Sequence, residues 1–120
     1  MDMSALPDPM RARIAAVNAQ SAMETLQKFL LTDISDIGGL DELEADLRSV
    51  ARTSTRSHER KLAAIEAVLA DPPPAGQLAQ LVAWSGNRSL DDPSDAGAAA
   101  FLREVAELLR TVIAEATPRR

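Results

Sequence analysis

The stretch from Pro93 to Ala116 limits the fold more than any other. It opens with Asp92-Pro93-Ser94-Asp95, which reads as an N-cap, a proline at the first helical position and an acid at the third. Phe101, Leu102, Val105, Leu108, Leu109, Val112 and Ile113 then recur at helical spacing. Their stripe is wide enough to face several partner helices at once. Every other apolar segment is shorter or weaker, so this helix is expected at the centre of the core. Aromatic residues cannot fill that core, because Phe29, Phe101 and Trp84 are the only ones in the chain. Leu, Ile, Val, Met and Ala must do so, and such a composition favours closely packed helices. No segment sustains apolar/polar alternation, so no strand is expected.

Reading from the start, Asp8-Pro9 resembles an N-cap followed by a helix that runs to about Leu31. Its inner face is Met10, Ile14, Ala15, Ala19, Ala22, Met23, Leu26, Phe29 and Leu30. Asp33 to Gly39 breaks the pattern, and Gly38-Gly39 suits a turn. Asp41 and Glu44 have the spacing of a capping box, followed by a narrow stripe of Leu40, Leu43, Leu47 and Val50. Thr53-Ser54-Thr55 ends that helix, since short hydroxyl side chains compete for backbone partners. Ser57 is a candidate N-cap for a third helix, with Leu62, Ile65, Val68 and Leu69 inward. Asp71-Pro72-Pro73-Pro74 stops it. A short fourth helix spans roughly Ala75 to Trp84, with Leu78, Leu81 and Val82 inward and Gly86 as a C-terminal glycine cap. The 120 residues thus make one all-α domain, a compact bundle or orthogonal array of about five helices, frayed at 1–7 and 117–120.

The formal net charge of −5 disfavours general binding to a nucleic-acid backbone, where Lys and Arg must displace counterions. It permits binding to a basic partner, with electrostatic steering of the encounter. Without cysteine there are no disulfides or thiolate metal sites. Met1 to Pro9 lacks the basic-then-apolar layout of a signal peptide, and no run approaches the roughly 20 apolar residues that cross a bilayer. A cytoplasmic protein with no membrane partner is the expectation.

The sharpest charge feature is a change of sign. Asp33, Asp36, Asp41, Glu42, Glu44 and Asp46 are six acids with no basic residue among them; Arg48 to Lys61 holds five basic residues against Glu59 alone. A solvated surface, with acids favoured near a helix N-terminus, is one reading. An acidic patch that docks on a basic protein is another. Asp33 and Asp36 holding a hard cation is a third, although no calcium loop is present. Arg48, Arg52, Arg56 and Arg60 fall at four-residue spacing, but Thr53 to Thr55 interrupts the line and no aromatics interleave to stack bases. His58 is the only histidine, so no catalytic dyad or His-rich metal site can be assembled, and an exposed or capping role is expected. A carboxylate pair needs a cleft for acid–base work, and the sequence shows none. No cofactor is expected. Trp84-Ser85-Gly86 spells W-x-G, as in small secreted helical-hairpin proteins, but here it comes late and no Tyr follows. Trp84 is expected in the core.

From Met23 to Ile113 the layout resembles the small all-helical immunity proteins of bacterial contact-dependent growth inhibition. Leu26, Phe29, Leu30 and Asp33 match that family's Leu-x-x-Phe-Leu helix end and acidic turn. Ile65 and Leu69 match an Ile-x-x-x-Leu helix close. Pro72 to Pro74, Leu78 to Leu81 and Gly86 match a proline break, a short helix and a Gly–polar loop, and Phe101-Leu102 matches the aromatic–Leu pair of the final helix. The family often carries Tyr, His and an Asp-Trp pair after the first helix; this chain has Leu31-Thr32-Asp33-Ile34. The resemblance implies a non-catalytic antidote that binds a cognate protein toxin, often a basic nuclease domain. The acids from Asp33 to Asp46 are then its contact surface. A small helical regulatory or adaptor module acting through protein-partner binding or as a homodimer, with the Pro93–Ala116 stripe partly used between subunits, is the alternative.

Overall fold

The computed structural model describes residues 21–116. The start of the first helix at Asp8-Pro9, its contacts through Met10 to Ala19 and the frayed ends all lie outside the described residues. Within them the fold is all-α and contains no strand. Helix α1 runs over 21–34 and closes in a π turn, Leu30–Ile34. Next come α2 (Leu40–Ala51), α3 (Arg56–Ala70), α4 (Gln77–Trp84) and α5 (Asp95–Ala116).

Helix α5 is the hub, as its stripe requires: α2, α3 and α4 all pack against it. Ala98, Leu102, Val105, Ala106, Leu109 and Val112 are buried along it. Facing them are Leu26, Phe29 and Leu30 of α1, Leu43 and Leu47 of α2, Ile65 and Val68 of α3, and Leu78 and Val82 of α4.

Several helix ends differ from the sequence expectation. Helix α1 continues past Leu31, because the Ser35 amide reaches back five residues to the Leu30 carbonyl (2.9 Å). Leu30 and Ile34, four residues apart on one face, are both buried. The capping box on Asp41 and Glu44 does not form: Gly39 is the N-cap of α2, without a side-chain bond. Instead, Glu42 accepts from the Gly38 amide at 2.6 Å. Helix α3 starts one residue before Ser57, with Thr55 at its N-cap and the Ser54 hydroxyl accepting from the Arg56 amide (3.2 Å). Asp92 does not cap α5 directly. It accepts from the amide and hydroxyl of Ser94 (3.1 and 2.6 Å), and Ser94 in turn accepts from the Gly97 amide (3.3 Å).

Two side-chain expectations are overturned. Trp84 is 75% exposed. The inward positions of α4 are Leu78 and Val82, and a residue two beyond Val82 lies roughly 200° round the helix. His58 is neither exposed nor a cap: it is fully buried.

Candidate functional site

The site is built where α1 ends. Two back-bonds tighten the π turn, from the Thr32 hydroxyl to the Lys28 carbonyl (2.7 Å) and from the Ser35 hydroxyl to the Leu31 carbonyl (2.6 Å). The following loop is held by the α4–α5 connection. Arg88 donates through Nη2 to the carbonyls of Ile34 (3.2 Å) and Ile37, and through Nε to that of Gly86 (3.4 Å). Asn87 donates to the Ser35 carbonyl (3.4 Å). One guanidinium thus ties the last carbonyl of α1 to two loop carbonyls, and it fixes the backbone that carries Asp36.

Between this loop, α2 and the first turns of α3 lies a cleft of about 230 Å³. Asp33, Asp36, Glu42 and Asp46 line it, together with Thr32, Lys61 and His58. Four of the six acids singled out from the sequence are therefore gathered in one place. Glu42 is tied to Gly38, and Asp33 is paired with Lys61 at 2.8 Å. The Lys61 ammonium also stands 5.0 Å over the Phe29 ring, a cation–π contact that holds it in place. Asp36 and Asp46 are exposed, and their carboxylates make no hydrogen bond or ion pair among the described residues. Among the described residues the cleft thus carries four carboxylates against one ammonium, with two of the carboxylates free.

No family model, curated protein or solved structure matches this chain.

The other two acids stand apart from the cleft. Asp41 is exposed on the first turn of α2. Glu44 pairs with Arg48 at 2.5 Å, and Arg48 reaches across to Glu115 of α5 through Nε and Nη2 (3.0 and 3.1 Å). Hydrogen bonds from Glu115 and then Glu44 raise the Arg48 pKa, and the same contact with Arg48 lowers that of Glu115. This forked clasp joins α2 to α5. It also takes Arg48 out of any basic stripe, and the remaining members divide between two helices, with Arg52 at the end of α2 and Arg56 and Arg60 on α3.

His58 forms part of the cleft wall. Its Nε2 donates to the Leu47 carbonyl at 2.8 Å, joining the first turn of α3 to α2. A carbonyl only accepts, so Nε2 carries a proton. Nδ1 is buried and has no partner among the described residues. Among the described residues no group of three or more His, Asp or Glu is placed to hold a metal ion, and no helix is long and apolar enough to cross a membrane.

Sequence reasoning missed Lys61, His58 and Arg88. The first two face the acids from another helix, more than ten residues away in the chain. Arg88 sits in a polar loop where nothing local indicates that it closes the end of α1.

Proposed function

We propose that this chain acts without catalysis, as an immunity-type protein that binds a basic protein toxin domain and covers that domain's active surface. One observation carries the reading: Asp33, Asp36, Glu42 and Asp46 converge on one cleft, with Asp36 and Asp46 left unpaired. Unpaired carboxylates in a depression, on a chain of net charge −5, attract a cationic surface and raise its association rate. The resemblance to contact-dependent growth inhibition immunity proteins supplies the toxin as partner class, and a basic nuclease domain is the natural counterpart of the cleft. The same charges disfavour direct nucleic-acid binding.

A regulatory homodimer built on the α5 stripe has less support, because Leu102, Val105, Leu109 and Val112 are buried within the chain itself. The deciding experiment is affinity capture of the tagged protein from its native host, with the bound chains identified by mass spectrometry. A stoichiometric complex with the toxin domain of a larger secreted protein is expected. Recovery of only the chain itself, or of a transcription or envelope component, would overturn the reading.

A further inference from the structure

A second cleft adjoins the first and shares Thr32, Asp33 and Lys61 with it. It encloses about 320 Å³ between α1 and α3, and its charge is reversed. Lys28 comes from α1; Arg60 and Lys61 come from α3. Among the described residues the one carboxylate in its wall is Asp33, already engaged by Lys61 at 2.8 Å. Lys28 and Arg60 are exposed, and their side chains make no ion pair among the described residues. Two cations unpaired among the described residues thus border one hollow on a chain that is acidic overall.

The hydroxyls complete a donor set. Thr32 is committed to the Lys28 carbonyl, whereas Thr25 and Ser57 line the cleft with hydroxyls that bond to no other described residue. Two cations, two hydroxyls and no free carboxylate make a site for an oxyanion, since each of these groups can donate a hydrogen bond. A phosphate group fits better than a carboxylate: near neutral pH it carries about −1.5 to −2 charges and three acceptor oxygens. We propose that this cleft binds a phosphate monoester, with Lys28 and Arg60 as its charged contacts and Thr25 and Ser57 as hydroxyl donors. This site borders the acidic cleft across Thr32, Asp33 and Lys61, but the proposal does not depend on the toxin-binding reading.

The test is a titration of the ¹⁵N-labelled protein near neutral pH and at fixed ionic strength, followed by amide chemical shifts. Inorganic phosphate is added first, then a nucleoside monophosphate, with chloride and acetate as comparisons. Both phosphate ligands should give saturable shifts centred on Thr25, Lys28, Ser57 and Arg60, while chloride and acetate should not. The variant Lys28→Gln/Arg60→Gln, whose dispersed spectrum reports that it has folded, should bind phosphate about tenfold more weakly or worse. Arg110→Gln, a change at an arginine outside the cleft, should bind like the parent. Linear shifts equal to those with chloride, acetate binding as tight as phosphate, or a folded double variant that binds normally would each overturn the proposal. The comparison of anions uses only the parent protein, so it decides the matter even if the variant fails to fold.

Discussion

Asp95 accepts hydrogen bonds from two amides of a helix it does not belong to: those of Gly76 (2.7 Å) and Ala79 (2.9 Å), at the start of α4. Helix α4 follows three prolines and a left-handed Gly76 (φ 87°), and it has no side-chain cap of its own. The first residue of α5 therefore caps α4. The Gly76 amide, and then the Ala79 amide, hold the Asp95 carboxyl below its ordinary value of 3.8. The folded state thus binds that proton more weakly than the unfolded chain does. The stabilisation is fully present above that ordinary value and is lost as pH falls through the folded one. Asp95→Ala should speed hydrogen exchange at Gly76 and Ala79 and flatten the loss of stability in acid; unchanged exchange at both amides would contradict the cap. His58 is the second residue whose role is tertiary. His58→Ala removes the donor to Leu47 and leaves a buried hole, so it should cost about 3 kcal/mol in denaturant unfolding. A loss of a few tenths would mean that the bond to Leu47 contributes little.

Among the elements, the helix ends show most plainly how sequence rules are modified by packing. Gly86 was expected to end α4 by taking a left-handed conformation, but the residue with positive φ there is Asn87 (φ 49°). Glycine is needed at position 86 for a different reason. A Cβ there would lie 2.7 Å from the Val82 carbonyl oxygen and 3.2 Å from Leu30 Cδ2, so a side chain would collide with the last turn of α4 itself and crowd Leu30 of α1. At Gly97 a Cβ would lie 1.9 Å from the Asp92 carbonyl oxygen, because the loop before α5 folds back on its first turn. Gly86→Ala should destabilise by about 1–3 kcal/mol, and Gly97→Ala by at least the upper end of that range. Chemical denaturation of the two variants checks the order. A Gly97→Ala variant as stable as the parent would show that the Asp92 loop can move aside.

On the scale of the whole molecule, the six acids divide by their surroundings. Asp36 and Asp46 stand free in the cleft, whereas Glu44 is held in the Arg48–Glu115 clasp and Asp41 lies outside the lining. Asp36→Lys/Asp46→Lys should therefore slow association with the captured basic partner strongly at low salt and less at high salt. Asp41→Lys/Glu44→Lys should slow it less. Equal effects from the two pairs, measured by stopped-flow across salt concentrations, would mean that overall charge steers the encounter and the cleft does not.

The sequence determined the elements that depend on local chemistry. The stripe from Phe101 to Ile113 made α5 the hub, the three prolines ended α3, and Thr53 to Thr55 separated α2 from α3. These follow from helical periodicity and backbone restriction, which act over a few residues. The charge switch from Asp33 to Lys61 was equally visible as composition. Its consequence was not, because it depends on how α1, α2 and α3 converge. Only the tertiary structure set four acids around one cleft, drew Glu44 into a clasp with α5, buried His58 against Leu47 and turned Trp84 outward. It also brought Lys28 beside Arg60, and Arg88 and Asp95 to the ends of helices distant in the chain. Each of these depends on a contact between segments far apart in sequence, and no local spacing rule encodes the distance or direction of such a contact.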